Sequence, residues 1–345
     1  MKRSVLFVCS VALVLFILYA AAELLLPVQT GNSALEIEIP KGATFRQAVR
    51  LLHDQNLVRD TRIFLITGRL TGADRKIRAG FYSLWSGMSP FEILQVLLKG
   101  KIIEYEVKVL EGDSLPEIAE AFAKTGIISR EEFMDLARNP EMLARHEIQA
   151  PSVEGYIFPD TYSIPKGMSA EDALSAMIAR MQEKFTDKLS ARARDLGMTD
   201  NQVLTLASII EKEAVIDEER AIISAVYHNR LRKDMPLQAD PTAIYGVKSS
   251  REKITLNDLK RTTPYNTYRI KGLPPGPIAS PGMKSIVAAL YPEHVPYLYF
   301  VAQDDRSHRF AANEREHAEN VRLYREKQQD MKKQRKEETD ALTHS

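Results

Sequence analysis

The sequence predicts an α+β protein with an N-terminal transmembrane helix, small β/α modules and then a mixed α/β domain. Three observations support this fold class: an apolar run near the N-terminus, a gapless internal repeat that combines strand and helix patterns, and a change of local composition after about residue 195. There, helical segments give way to a stretch rich in Pro, Gly, Thr and Tyr. The length of 345 residues suggests about two domains.

The composition excludes several classes of protein. A hydrophobic content of 44% is ample for a core, which excludes a disordered or collagen-like chain. Because 47 basic residues are balanced by 46 acidic ones, the overall charge gives no reason to expect nucleic acid as a partner. Cys9 is the sole cysteine, so the chain has neither an intramolecular disulfide nor a cysteine-based zinc site.

Residues 4–26 predict a transmembrane anchor. The run is uncharged apart from Glu23, and as a helix it is about 30 Å long, enough to span a bilayer. Residues 1–3 include two basic residues, so the positive-inside rule leaves them in the cytoplasm and places the rest of the chain across the membrane. The small residues of 19–22 leave a cleavable signal peptide as the alternative. We favour an uncleaved anchor because the run exceeds the usual signal-peptide core.

An internal repeat follows a linker over residues 27–35. Residues 36–58 align without a gap on residues 106–128, and Gly42 matches Gly112. Each copy reads as an alternating strand, a glycine turn, a Ser/Thr N-cap and an amphipathic helix. The repeat therefore predicts two copies of a small β-α unit.

A second match extends the repeat. Residues 81–84 correspond to residues 161–164, each followed by Gly-Met-Ser. We therefore predict a first module over 36–102 and a second over 103–150. A strand-helix unit of this size resembles the lysin-motif (LysM) fold, a glycan-binding module. The alternative is that the repeat is only a spacer or platform.

The rest of the chain is predicted to form the main domain, residues 151–325, and a tail. Helices are predicted over 201–214 and 218–232, and the Pro- and Gly-rich stretch from 236 to 296 is typical of ordered loops that carry a site. Residues 326–345 read as a charged, solvated and partly disordered tail whose helix has no apolar face.

The first of these helices carries two acids near its end, Glu211 and Glu213. The expected buried stripe consists of Val203, Ala207, Ile210 and Ala214. At 100° per residue the two acids point about 160° to 200° apart, so they are not the facing carboxylates of an ordinary glycosidase. One glutamate set against apolar neighbours would have a raised pKa and could act alone as a general acid. The alternative is a solvated helix face, on which Glu-Lys-Glu is common.

Five further segments accompany this helix. They read EGYIFPDTY (154–162), SAVYHNRL (224–231), MPLQADPTAIYG (235–246), TPYNTYRIKGLPPGPIASPG (263–282) and PYLYFVA (296–302). Together and in this order they resemble the endolytic murein transglycosylase (MltG/YceG-like) family of membrane-anchored lytic transglycosylases. The resemblance runs from the anchor to about Tyr324.

The resemblance implies a mechanism and a catalytic residue. The family's catalytic glutamate belongs to the segment that is here Ala207–Glu213, which points to Glu213, with Glu211 as the alternative. Such an enzyme cleaves the β-1,4 bond between N-acetylmuramic acid (MurNAc) and N-acetylglucosamine (GlcNAc) and leaves a 1,6-anhydroMurNAc end. One acid serves as proton donor and then as base, so no second carboxylate is required.

Candidates for substrate binding come from the loops and from the first segment. They are Glu154, Gln238, Asp240, Thr242, Tyr245, Asn266 and Tyr268. Amides, carboxylates and hydroxyls suit sugar hydroxyls, and tyrosines offer stacking faces. The alternative for the loop residues is turn formation. Glu154 could instead tie its segment to the rest of the domain.

The implied partners are peptidoglycan strands, the membrane and, among proteins, peptidoglycan synthases or division proteins. No nucleic acid is expected, and the sequence has no cofactor motif and no cluster of metal ligands with familiar spacing. The expected location is the inner membrane, single-pass, with the catalytic domain outside the cytoplasm. Two other functions stay open: a non-catalytic membrane-anchored peptidoglycan-binding scaffold, and a muramidase that hydrolyses the same bond.

Overall fold

The chain divides into two compact units. The first comprises residues 1–106 and 163–169, and the second comprises residues 107–162 and everything from 170 onward. The module boundaries predicted from the repeat, at 102 and 150, stay predictions. The computed structural model describes residues 2–248, 252–303 and 307–343.

The first unit begins with a long apolar helix. Its elements are α1 (Lys2–Leu25), β1 (Ala34–Ile39), α2 (Phe45–Asp54), α3 (Thr61–Thr71), α4 (Ala73–Lys76), β2 (Gly80–Trp85) and α5 (Pro90–Lys99). Within the described ranges, α1 is the one helix long and apolar enough to cross a membrane, and none of its residues is buried. By length and composition it fits either an anchor or a signal sequence.

The core of this unit lies under a two-stranded antiparallel sheet. β1 pairs with β2 in a register that places Ile37 opposite Tyr82, and both side chains point into the core. The rings of Phe45 and Phe64 stack there with centroids 6.2 Å apart. A Cβ on Gly68 would lie 2.2 Å from the ring of Phe45, so only glycine allows α3 to approach this closely.

The structure confirms the strand-turn-helix pattern in both copies of the repeat. β1 and α2 form the first copy, and β3 (Glu104–Lys108) and α6 (Leu115–Ala123) form the second. The matched glycines have nearly the same left-handed backbone, with φ of +81° at Gly42 and +80° at Gly112. Both helices also begin with a capping box. The likeness of these modules to the LysM fold stays a proposal.

The second unit is mainly helical and surrounds one buried helix, α11. Its elements besides α6 are α7 (Arg130–Leu136), α8 (Pro140–Arg145), α9 (Ala170–Lys184), α10 (Asp187–Asp195), α11 (Asp200–Glu213), a 3-10 turn (Asp217–Glu219), α12 (Arg220–Arg232), α13 (Asp240–Ile244), α14 (Leu256–Lys260), α15 (Met283–Leu290), β5 (Tyr299–Ala302), β6 (His308–Ala311) and α16 (Glu314–Thr343). β3 pairs with β4 (Thr161–Pro165), and β5 pairs with β6. The predicted helices over 201–214 and 218–232 thus correspond to α11 and α12.

The charged tail is part of a longer helix. α16 continues without a break past residue 325, where the sequence suggested that the domain ends. Its sequence is rich in strong helix formers, and Arg322 forms ion pairs with Glu319 and Glu326 at helical spacing. The helix expected in the tail is thus part of α16, which extends to Thr343, and the expected partial disorder stays a prediction.

Candidate active site

α11 carries the two candidate acids at its C-terminal end. Thr199 caps the start of the helix through a capping box with Gln202. From Val203 to Ile210 every residue is buried, so the helix is enclosed on all sides rather than along one stripe. It ends at Glu213, where the chain turns into an extended conformation at Ala214. The acids therefore lie where a buried helix reaches the edge of its core.

Glu211 is held by two partners. Its Oε1 accepts a hydrogen bond from Nη1 of Arg220 at 3.1 Å, and its Oε2 accepts one from the backbone N–H of Gly282 at 2.9 Å. Both side chains of the ion pair are nearly enclosed, with 6% of Glu211 and 10% of Arg220 exposed. Gly282 is the N-cap of α15. Glu211 therefore ties α11 to α12 and α15, and both of its oxygens are occupied.

Glu213 has a different environment. Burial, and secondly the negative charge of Asp240, raise the pKa of Glu213 to about 8. The Tyr227 hydroxyl, which donates to Oε1 at 3.4 Å, and the backbone N–H of Asp240 lower that pKa only in part. Burial in turn raises the pKa of Tyr227, so its hydroxyl keeps its proton. At neutral pH Glu213 is therefore mainly protonated, as a general acid must be.

Two other predicted residues lie beside Glu213. The Tyr268 hydroxyl donates to Oδ1 of Asp240 at 2.6 Å, and Asp240 is exposed at the start of α13. Burial, and secondly the hydrogen bond to Asp240, raise the pKa of Tyr268, and the negative charge of Asp240 adds to the raised pKa of both Tyr268 and Glu213. The structure thus brings together three of the predicted residues and offers an exposed carboxylate next to the protonated one.

Arg230 shapes the loop that approaches this group. The side chain of Arg230 is buried, and its Nη1 donates to the carbonyl oxygens of Pro236 and Leu237 and to Oε1 of Gln238, at 3.0 to 3.1 Å. Gln238 has a φ of +49°, in the left-handed region that is costly for a residue with a Cβ. Gln238 is exposed. The loop therefore holds this predicted residue in a strained conformation next to Asp240.

The polar groups of Thr242 and Asn266 form hydrogen bonds within the protein. The Thr242 hydroxyl donates to the carbonyl oxygen of Ala239 at 2.6 Å and lies 2.8 Å from Oγ1 of Thr267. Nδ2 of Asn266 donates to the carbonyl oxygen of Arg261 at 2.6 Å, and its Oδ1 accepts from the backbone N–H of Tyr268. Both side chains are fully buried. This arrangement matches the turn-forming alternative for both residues.

Glu154 and Tyr245 form a separate arrangement. Glu154 is 1% exposed; both of its carboxylate oxygens lie 3.1 Å from the backbone N–H of Leu115, and Oε2 accepts from the Tyr245 hydroxyl at 2.9 Å. Burial raises the pKa of Glu154 to about 7, although these two donors lower it. Since Leu115 is the first residue of α6, Glu154 ties α6 to the loop after α13.

Glu154 and Tyr245 line a cavity of about 890 Å³. Lys212 and Tyr265 are also in its wall, and the rings of Tyr245 and Tyr265 lie 4.6 Å apart. Glu213 is not among the described residues that line it. The seven predicted binding residues therefore separate into a group at Glu213, a pair at this cavity and two buried loop residues.

The described part of the chain contains no group of three or more His, Cys, Asp or Glu side chains that could hold a metal ion. Nδ1 of His308 lies 2.6 Å from Oε2 of Glu219, and the ring of His317 stacks on Tyr299. Both histidines thus have structural contacts.

Comparison with known proteins identifies the family. The profile of the YceG-like family matches residues 37–323. The chain belongs to the YceG-like family.

Named relatives extend this result. The chain is 33% identical over 315 residues to an endolytic murein transglycosylase of Bacillus subtilis strain 168, covering 86% of each chain. It is 28% identical over 330 residues to an endolytic murein transglycosylase of Streptococcus pneumoniae D39, where the match covers 86% of this chain but 60% of the relative. Both relatives are thus named for transglycosylase activity on murein.

A solved structure supports the fold. The crystal structure at 2.6 Å of a yceG-like protein from Listeria monocytogenes has a TM-score of 0.58 and 31% identity to this chain. The match covers 84% of this chain and 99% of the other.

Sequence reasoning missed two residues of this YceG-like site. Tyr227 and Arg230 are three residues apart in α12, and both turn inward, one to Glu213 and the other to the loop that carries Gln238. Both lie in the segment SAVYHNRL that carried part of the family resemblance. An arginine and a tyrosine at helical spacing beside apolar positions were the available signal.

Proposed function

We propose that this chain is an endolytic murein transglycosylase that cuts nascent peptidoglycan strands within their length. The proposed bond is the β-1,4 linkage between MurNAc and GlcNAc, and the proposed product ends in 1,6-anhydroMurNAc. Two relatives named for this activity support the proposal. The single observation that carries it is the pKa of Glu213, about 8, in a group of polar side chains at the end of α11.

Glu213 would act first as an acid and then as a base. Its proton goes to the glycosidic oxygen as the bond from that oxygen to the anomeric carbon breaks. The ionised carboxylate then accepts the proton of the C6 hydroxyl of the same MurNAc as O6 bonds to the anomeric carbon. Glu213 is thereby returned to its starting state, and neither water nor a cofactor is consumed.

Asp240 would favour the first of these steps. Its negative charge helps to keep the proton on Glu213 before the bond breaks. Once the sugar carries an oxocarbenium-like positive charge, the same carboxylate would stabilise it electrostatically. Gln238 and Tyr268, which lie beside Asp240, are the proposed contacts to sugar hydroxyls and acetamides.

The position of Asp240 also favours a second candidate, the muramidase. A carboxylate next to a protonated glutamate can activate water, which is how inverting glycosidases work. The two reactions differ in their products, because hydrolysis leaves a reducing end. A non-catalytic scaffold would yield neither product.

We also propose a location and partners. With α1 as a single-pass anchor in the inner membrane and Lys2 and Arg3 in the cytoplasm, the Glu213 site would face the newly made wall. Tethering raises the effective concentration of strands that are still being synthesised at this surface. Peptidoglycan synthases or division proteins are the proposed protein partners, and the LysM-like first module is a proposed glycan-binding site.

The test is mass spectrometry of uncross-linked glycan strands incubated with the full-length chain in detergent. Internal cleavage with anhydro ends is the expected result, and it should disappear in Glu213→Gln but persist in folded Glu211→Gln. Reducing ends would favour the muramidase. An intact substrate with a demonstrably folded parent chain would favour the scaffold, and loss only in Glu211→Gln would move the acid to Glu211.

A further inference from the structure

We propose that one face of α3 binds the surface of a bilayer with anionic phospholipid headgroups, beside the point where α1 leaves the membrane. We define the α3 face as Arg62, Ile66, Arg69 and Leu70. The inference rests on the proposed role of α1 as an anchor. It assigns a lipid-binding surface to the first module, separate from the Glu213 site of the second unit.

The composition of the α3 face fits a membrane surface. At 100° per residue its four side chains lie on one side of the helix, while Phe64 lies in the core on another side. Ile66 is 54% exposed and Leu70 is 83% exposed, and both arginines are exposed beside them on the same side of the helix. Basic and large apolar side chains on one exposed face are typical of helices that lie in the headgroup layer.

Contacts with α1 set the depth of this helix. The Tyr19 hydroxyl donates to Oδ2 of Asp60 at 3.3 Å, and Nε of Arg59 pairs with Oε2 of Glu23 at 3.3 Å. α1 is about 36 Å long at 1.5 Å per residue, and the hydrocarbon core of a bilayer is about 30 Å thick. Tyr19 lies about 9 Å before the end of α1 by the same rise. Asp60 and Arg59 therefore lie beside the outer boundary of the hydrocarbon rather than above it.

α3 starts at this boundary. Oδ1 of Asp60 caps the helix by accepting from the backbone N–H groups of Arg62 and Ile63, at 2.8 and 3.2 Å. Arg59 also donates to the carbonyl oxygens of Leu26 and Pro27, the residues that follow α1. The first turn of α3 is thus fixed to the end of the anchor at several points.

Lipid is the occupant that this chemistry favours. The arginines complement anionic phosphates, and the exposed isoleucine and leucine gain by entering the boundary between headgroups and acyl chains. A glycan offers hydroxyls, which do not pair with a largely exposed leucine. The bilayer is also already present, since α1 holds α3 against it.

The experiment measures the depth of α3 in the full-length chain. Cys9→Ser removes the sole cysteine, and Leu70→Cys or Arg50→Cys then adds one for an environment-sensitive fluorophore. Arg50 is an exposed residue of α2 and serves as the reference. The chain is reconstituted into vesicles of phosphatidylcholine with phosphatidylglycerol that also contain nitroxide-labelled lipid. We expect a blue-shifted emission and quenching several-fold stronger at position 70 than at position 50.

A charge-matched pair of variants tests the headgroup contact. Each arginine near an anionic surface contributes about fivefold in affinity, so Arg62→Gln with Arg69→Gln should lower the ratio of docked to undocked α3 by about 25-fold. Arg46→Gln with Arg50→Gln removes the same charge from α2 and should leave the quenching at position 70 unchanged. Equal effects of both pairs would overturn the proposed contact.

The unmodified Cys9 reports on the anchor itself. If a fluorophore on Cys9 is quenched but position 70 is quenched no more than position 50, the lipid contact of α3 is wrong and the anchor stands. If Cys9 also escapes quenching, both proposals fail. A blue shift at position 70 without quenching by lipid would identify contact with protein and would likewise overturn the proposal.

Discussion

Two glutamates of the second unit have raised pKa values, but we propose that only one of them acts on a substrate. The pKa of Glu213 is raised to about 8 and that of Glu154 to about 7, and burial is the main cause in both. The carboxylate oxygens of Glu154 accept hydrogen bonds from the first backbone N–H of α6 and from the Tyr245 hydroxyl. Glu213 has a long contact with Tyr227 and an exposed carboxylate, that of Asp240, beside it. The comparison teaches that a raised pKa identifies a general acid only where its oxygens are not committed to holding the fold.

The largest expected effect separates the two glutamates by activity. Glu213→Gln should lower the cleavage rate by about 10³-fold or more, because general acid catalysis is lost. Glu154→Gln keeps a side chain of the same shape and should retain activity within a few-fold. Both rates are measured by counting anhydro ends per folded enzyme. Similar losses in the two variants would contradict the distinction drawn between them.

The next effect concerns stability. Glu211→Gln removes the nearly enclosed carboxylate that pairs with Arg220 and leaves only the half-exposed Asp217 as its partner. The new amide NH2 also faces one of two donors, Arg220 or the N–H of Gly282, so we expect the free energy of unfolding to fall by about 3 kcal/mol. Activity per folded molecule should persist, because Glu211 holds the fold. Urea unfolding measures the first quantity, and cleavage below the transition measures the second. An unchanged midpoint together with lost activity would contradict this assignment.

A smaller effect should appear in the pH dependence of stability. The folded-state pKa of Glu154, about 7, lies above the ordinary value of 4.5, so its stabilising contribution is complete below about pH 4.5 and is lost as pH rises through 7. Glu154→Gln should remove this part of the decline, worth at most about 2–3 kcal/mol between pH 5 and pH 8. Urea unfolding at pH 5 and pH 8 checks it. The decline caused by Glu213, which extends to about pH 8, should remain.

The smallest predicted effect is a shift in the pH profile of activity. Cleavage should fall as pH rises through about 8, where Glu213 loses its proton. Asp240→Asn removes the second cause of that raised pKa, so the alkaline limb should move to lower pH. Because burial is the larger cause, the pKa of Glu213 should stay above its ordinary value. An unmoved limb would show that Asp240 does not influence Glu213.

Local patterns predicted much of the fold. The apolar run corresponds to α1, and the two strand-turn-helix copies correspond to β1–α2 and β3–α6. The two helices predicted over 201–214 and 218–232 correspond to α11 and α12. These elements follow from periodicity and from caps such as those of the two repeat helices, which operate over a few neighbouring residues. The charged helix of the tail was predicted too, but not that it continues without a break from the preceding domain.

The candidate site was predicted only in part. Asp240 and Tyr268 do lie near Glu213, and Gln238 is two residues before Asp240 in the same loop, whereas Thr242 is enclosed by its own loop. A helical wheel gives the direction of a side chain on one helix but not what packs against it, so it could not rank the two acids of α11. It also described one buried stripe, although the whole middle of α11 is enclosed.

By itself, the sequence determined the kinds of element, their order and the set of motifs that place the chain among YceG-like proteins. Only the tertiary structure decided that the pKa of Glu213 is raised and that both oxygens of Glu211 are bound by other groups. Arg220 and the amide of Gly282 meet Glu211, while Tyr227 and Asp240 meet Glu213. The physical reason is that pKa depends on desolvation and on charges brought close by folding, and these neighbours come from segments far apart in the chain.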